Sequence, residues 1–237
     1  MLKTVFFDLD GTLLPMDQEE FIRQYLACLT SAMEPEGYDP ETLGKAVWTG
    51  TKAMVCNDGS KTNEAVFWES FSRSLGRNAR EEEQTFLRFY QGPFQQLRAV
   101  CGYNPAAASA VREIRNLGLN TVLATNPLFP AVATQSRVRW AGLEPEDFAW
   151  ITTYENSRYC KPNPDYYREI LDKLNLKPGE CLMVGNDIQE DGAAAKLGMP
   201  VFLLTDCLIQ RGGNADPSWP QGSFPELLGW IRSELGV

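Results

Sequence analysis

The chain has 237 residues, 43% of them hydrophobic, enough for one large domain or a core with a smaller partner around a buried interior. Its 31 acidic against 22 basic residues give a formal charge of -9, which argues against general nucleic-acid or anionic-membrane binding, because both need a basic surface. With no histidine, Ser-His-Asp and Cys-His triads and histidine metal sites are excluded together, and any chemistry falls to carboxylates, hydroxyls, lysine or a metal.

The first element is TVFFD (4–8), an apolar run of the kind that forms a buried parallel strand. Acids interrupt MLKTVFFDLDG too early for the apolar stretch of a signal peptide, and no later run approaches membrane-spanning length, so a cytoplasmic protein is expected. Asp8 and Asp10, two positions apart, project to the same side of an extended chain. At roughly 4 Å and an effective dielectric near 20 they repel by about 4 kcal/mol, so positive charge is expected beside them. Gly11 and Thr12 follow, and glycine permits backbone N–H groups to approach a phosphate closely.

Residues 16–98 turn helical. DQEEFIRQYLACLTSAM places Phe21, Ile22, Tyr25, Leu26 and Leu29 on one face, and NEAVFWESFSRSLG places Val66, Phe67, Phe71 and Leu75 at similar spacing. AREEEQTFLRFYQG adds a helix with an acidic first turn, which suits the helix dipole. The pairs Phe67-Trp68 and Phe89-Tyr90 read as the core of this all-helical insertion, and GTKAMVCNDGSKTN (50–63) as a loop within it.

Beyond residue 99 strands and helices alternate. Asn104-Pro105 caps and opens AAASAVREIRNL, which Gly118 closes; Asn163-Pro164 opens DYYREILDKLN; AAAKL runs to Gly198. The buried strands are NTVLATN (120–126), WITT (150–153), CLMVGND (181–187) and PVFLLTD (200–206). This alternation specifies an α/β fold with a Rossmann-like doubly wound parallel sheet. RGGNADPSWPQGSFP (211–225) reads as a surface loop before a final short helix. The six cysteines form no C-x-x-C pair and read as reduced and structural, Cys160 included.

Ligands of open parallel sheets bind at the carboxyl ends of the strands. Four such ends carry polar residues: Asp8 to Thr12, then Thr125-Asn126, then Lys161 in CKPNP, then Gly185-Asn186-Asp187 with Asp191. Against Asp8, Asp10, Asp187 and Asp191, Lys161 leaves three negative charges, so a phosphate dianion needs a divalent cation to enter.

This ordered set resembles the haloacid dehalogenase (HAD) superfamily, whose pattern is a D-x-D-G-T strand end, a later Ser/Thr, a Lys near a Pro and a G-D-x-x-x-D-like acidic end. The resemblance covers 1–15 and about 100–206, and it implies a catalytic core at 1–15 and 99–237 with a helical cap domain at 16–98. It implies Asp8 as the nucleophile that becomes an aspartyl-phosphate, and Asp10 as the acid for the leaving oxygen and then the base for water. Thr125 is expected to hold a phosphoryl oxygen with Gly11, Thr12 and Asn126 nearby, and Lys161 to neutralise nucleophile and phosphate. Mg2+ is expected on the Asp8 carboxylate, the Asp10 carbonyl and the acids Asp187 and Asp191. One departure is Asn186, where many members place the first acid: the ligand is Asp187 by its four-residue spacing to Asp191, or Asn186 by its place after Gly185, and Asp187 is preferred.

The implied activity is a magnesium-dependent phosphatase hydrolysing a small soluble phosphomonoester. A sugar phosphomutase, a phosphonatase using Lys45, Lys52 or Lys61, and a non-catalytic phosphate-ester-binding protein are the alternatives. Because family dehalogenases lack an acid at the position of Asp10, dehalogenation is not expected. Lys52, Asn57 and Lys61 are candidate substrate contacts from the cap. Substrate identity and oligomeric state are not legible.

Overall fold

The computed structural model describes residues 1–211 and 218–237. Its elements are β1 (Thr4–Phe7), α1 (Gln18–Met33), α2 (Pro40–Val55), α3 (Asn63–Leu75), α4 (Glu83–Gln91), α5 (Pro105–Asn116), β2 (Asn120–Leu123), α6 (Ala131–Trp140), β3 (Trp150–Ile151), α7 (Pro164–Leu174), β4 (Cys181–Gly185), β5 (Val201–Leu204), β6 (Gln221–Gly222) and α8 (Phe224–Leu235). The six strands form one parallel sheet in the order β3-β2-β1-β4-β5-β6. β1 sits between β2 and β4, with Phe7 registered against Leu123 and Val184, and is covered on both faces, which is why TVFF is apolar without alternation. Strands are added on one side from β1 to β3 and on the other from β4 onward, so the loop after β1 opens at the switch point of a doubly wound sheet.

The polar N-caps behave as their sequences predict: Asn104 and Asn163 accept from the backbone two residues on, with proline at the first helical position. Four elements differ from the sequence reading. Residues 50–55 are not loop but the end of α2, so the connector spans only 56–62. Gly50, where that loop reading began, sits where α2 and α3 touch, and a Cβ there would lie 2.6 Å from the Phe67 ring. The helix α6 was unread because its polar residues Thr134, Ser136 and Arg137 are buried along with Ala133, Val138 and Trp140, leaving no apolar stripe. The two-residue strand β6 lies within the segment read as a loop, too short for any periodicity, and residues 212–217 of that segment lie outside the described residues. The AAAKL segment is 3-10 rather than α, over Gly192–Leu197.

One sheet face, with Phe6, Val122 and Met183, packs on Tyr166, Tyr167 and Ile170 of α7. The other, with Val5 and Phe7, continues through Leu9 and Leu13 into the helices that follow β1, reaching Phe21, Tyr25, Phe94 and Trp68 in one apolar interior. Phe94, stacked on Trp140 at 5.3 Å, joins those helices to α6.

Candidate active site

The chain leaves β1 at Asp8, whose amide donates to Val184 of β4, and turns sharply at Gly11. Gly11 has φ +87°, and a Cβ on it would lie 2.4 Å from the Asn186 side chain, so glycine alone permits the β1 and β4 loops to close on each other. The Thr12 hydroxyl lies there, 2.9 Å from Asn186 Oδ1 and 3.3 Å from Asp8 Oδ2. Asn186 is held in place by donating to the Cys207 carbonyl at 2.7 Å.

Lys161, from the loop after β3, is buried beside this pair. Its Nζ donates to Asp8 Oδ1 at 2.9 Å and to Asp191 Oδ1 at 2.6 Å. Burial opposes the ammonium charge, but Asp191 and Asp8 overcome that and hold its pKa well above the ordinary lysine value. Burial pushes the Asp191 carboxyl up to about 6 against the pull of Lys161, which leaves it ionised at neutral pH. The other Asp191 oxygen accepts the amides of Asn186 and Asp187 at 2.9 and 3.0 Å. Asp191 thus shapes the β4 loop and aims Lys161. Asp187 Oδ1 accepts the amides of Gln189 and Glu190, capping the next turn.

Thr125 and Asn126 end β2. The Thr125 carbonyl accepts the hydroxyls of Thr152 and Tyr166 at 2.7 and 2.8 Å, which fixes the loop. Asn126 accepts the Lys161 amide at 3.2 Å and donates to Glu190 Oε2 at 3.1 Å. Burial, opposed by Lys161, pushes the Glu190 carboxyl up to about 7.

Sequence reasoning missed Arg137. It projects from α6, is 1% exposed, forms an ion pair with Asp10 Oδ2 and packs its guanidinium 4.4 Å from the Phe129 ring centroid. The other Asp10 oxygen is buried without a hydrogen-bond partner. Burial raises the Asp10 pKa, Arg137 opposes it, and the charge of Asp8 adds to it. The repulsion expected between Asp8 and Asp10 is therefore answered by two cations, one for each acid. An expectation of positive charge was legible in DLDGT, but SRVRW offers no pattern that selects Arg137 as its source.

The residues expected from the helical insertion have other duties. Asn57 donates to the Lys61 carbonyl and to Asn63 Oδ1 and accepts the Gly59 amide, so it staples its own loop. Lys52 is exposed on the last turn of α2. Lys45 and Lys61 lie in exposed pairs with Glu41 and Glu69. Asn63, fully buried, instead ties α3 to the loops after β2 and β3 by donating to the Pro127 carbonyl at 3.3 Å and to Cys160 Sγ at 3.3 Å. Burial pushes the Cys160 thiol up to about 12.

Among the described residues no three acidic or cysteine side chains converge as a metal cage. Magnesium does not need one, since it takes one or two carboxylates and keeps several waters. The oxygens gathered at Thr12 are one carboxylate, Asp8, and one amide, Asn186 Oδ1; the Asp10 carbonyl, which accepts from Gln18, belongs to the same loop. These hard donors suit that ion. Both Asp191 oxygens have partners, Lys161 on one and the amides of Asn186 and Asp187 on the other.

A buried Asp–Lys–Asp chain thus lies at the switch point of a parallel α/β sheet, where such sheets bind ligands. The chain belongs to the haloacid dehalogenase-like hydrolases, whose family model matches residues 2–198. It is 26% identical over 204 residues to YhcW of Bacillus subtilis, a candidate phosphatase, covering 86% of this chain and 84% of that one. It is 24% identical over 208 residues to the phosphoglycolate phosphatase of Aliivibrio fischeri, again with 86% and 84% covered. Among solved structures, the 2-haloacid dehalogenase of Pseudomonas syringae superposes with a TM-score of 0.62 at 19% identity, covering 99% of this chain and 100% of that one, which shows the shared fold.

Proposed function

We propose that the protein is a magnesium-dependent phosphatase acting on a small, soluble phosphomonoester through an aspartyl-phosphate on Asp8. The observation that carries this reading is the setting of Asp8: one oxygen bound by the buried Lys161 ammonium, the other near Thr12, with Asp10 on the same loop. Asp8 is held in one orientation for attack, as a nucleophile requires. Its relatives named as phosphatases point the same way.

In this mechanism an Asp8 oxygen forms a bond to phosphorus as the ester P–O bond breaks. The leaving oxygen takes a proton from Asp10, whose unpartnered Oδ1 offers a place for it. Water then attacks the acyl-phosphate, Asp10 recovers a proton, and inorganic phosphate departs. Thr125, Asn126 and the amides beyond Gly11 receive phosphoryl oxygens, and Lys161 offsets their charge. Asp8, the Asp10 carbonyl and Asn186 would hold the magnesium ion, with Asp187 on the adjoining turn; the ion supplies charge neutralisation for an anionic substrate. Residues 16–98 serve as the cap that closes over the site. A cytoplasmic location is supported by six unpaired cysteines. Of the three lysines a phosphonatase could use, Lys45 and Lys61 are engaged in surface ion pairs, and Lys52 is exposed on the last turn of α2.

The test is inorganic phosphate release from a panel of phosphate esters with magnesium or EDTA. Metal-dependent release is expected. No release from any ester by folded protein would overturn the reading, and retention of the phosphoryl group in product would indicate a mutase.

A further inference from the structure

Resting on the phosphatase reading, we infer that the substrate's leaving group is uncharged and apolar, about the size of one aromatic ring or a short alkyl chain, and that it occupies a cavity between the helices α1–α4 and the loop after Asn126. The cavity measures about 100 Å³ and is walled by Tyr25, Phe67, Trp68, Phe86, Tyr90 and Phe129, among other residues. An enclosed apolar cavity of about 150 Å³ takes up benzene; this one is somewhat smaller but open at Trp48 and Ile22, which sizes it for a short alkyl chain or a single ring rather than a nucleoside or a sugar.

Its position ties it to the chemistry. Phe129 lines the cavity and also packs against Arg137, which pairs with Asp10. Phe129 is three residues from Asn126, whose side chain accepts the Lys161 amide, and three residues of extended chain span at most about 10 Å. The cavity and the proposed phosphate site therefore flank one short loop. Tyr25 of α1, which also lines it, packs edge to face on Phe129 with ring centroids 5.2 Å apart.

Its chemistry excludes an acidic leaving group. Among the described residues no lysine or arginine lines it, and its charged wall residue, Glu83, is negative and is paired with Arg80 at 3.5 Å. A carboxylate such as that of phosphoglycolate would meet aromatic rings and an acid there. The half-exposed Trp48 and Ile22 also line it, where an apolar ligand would cover them. Sequence alone assigned Phe67-Trp68 and Phe89-Tyr90 to interior packing; Phe67, Trp68 and Tyr90 instead also face this space.

The experiment compares kcat/KM for ethyl, butyl and hexyl phosphate, whose leaving alcohols are equally basic, with 2-phosphoglycolate, and measures the shift in Tm produced by phenol alone. The expected result is a rise of roughly fifteenfold from ethyl to butyl phosphate, since each of the two added methylenes contributes about fourfold when buried, with 2-phosphoglycolate the poorest substrate and phenol raising Tm. Val47→Phe, which fills the space from α2, should flatten the chain-length series and abolish the phenol shift; the loss of the phenol shift is read only in protein that keeps a cooperative melt. Turnover that favours 2-phosphoglycolate, or is flat with chain length, with no phenol shift, overturns the inference and leaves the phosphatase reading intact. A phenol shift without turnover of any ester overturns the phosphatase reading and upholds the apolar site.

Discussion

The loops at the strand ends and the helices that cover them solve opposite problems. At the strand ends, Asp8, Asp10 and Asp191 are crowded together and stabilised by individual partners: Lys161 between two acids, Arg137 on the third, and backbone amides on the remaining Asp191 oxygen. In the helices, order comes from rings meeting edge to face, such as Trp68 with Phe71 and Phe86, and the charges lie outside in exposed pairs. The first region fixes atoms to within a hydrogen bond and tolerates no missing member; the second fixes only volume and polarity. On the proposed function chemistry and selectivity are thereby separated, and substitutions in the two regions should fail in different ways.

The largest effect is expected at Asp8. Asp8→Asn should lower phosphate release at least 10³-fold at nearly unchanged stability, because loss of the nucleophile removes the covalent route altogether. Turnover persisting within tenfold of wild type would break the assignment. Lys161→Met comes next: it strands Asp8 and Asp191 as buried acids without a counter-charge, and should cost about 3–5 kcal/mol in urea unfolding as well as most of the activity. Arg137→Met removes the partner of the more exposed Asp10 and should cost about 1–3 kcal/mol, with kcat falling more than KM changes. A variant with full activity would show that Asp10 needs no positioning.

Glu190 gives a pH signature. Its carboxyl rises from an ordinary 4.5 to about 7 on folding, so the folded state binds the proton more tightly than the unfolded state. The resulting stabilisation is fully present below pH 4.5 and is lost as pH rises through 7. In EDTA, wild type should lose roughly 2 kcal/mol more than Glu190→Gln between pH 5 and pH 8. Equal slopes would contradict that burial. The smallest effect is expected on the helical surface, where Lys61→Ala breaks an exposed pair with Glu69 and should change stability by less than about 0.5 kcal/mol and turnover not at all. A tenfold loss of turnover would mean that the helices do lend the site a cation.

The same division decided what could be read from sequence. The strands β1, β2, β4 and β5 were visible because burial on both faces demands unbroken apolar runs, β3 as a two-residue, half-buried edge strand only by its place in the alternation, and the strand-end acids because DLDGT has few other uses. The helix α6 and its Arg137 were invisible: a helix buried on several sides shows no stripe, and an arginine in SRVRW looks like any solvated one until α6 brings it to Asp10. Gly50 misled for the converse reason, since close helix packing and a turn both select glycine. Asp191 was legible as important from its spacing, but its direction, toward Lys161 and two amides, depends on the path of the β4 loop. The cavity was not legible at all, because the aromatic residues that wall it have the same spacing as residues that merely pack.

The central claim is that the phosphoryl group passes through Asp8. Acid quenching of wild-type protein during turnover of a good ester, followed by peptide mass spectrometry, tests it directly. The account predicts one phosphoryl group on the peptide containing residues 5–15, absent in Asp8→Asn and absent when EDTA replaces magnesium. Turnover at full rate with no phosphoryl group trapped on that peptide, or a phosphorylated peptide that survives in Asp8→Asn, would contradict it.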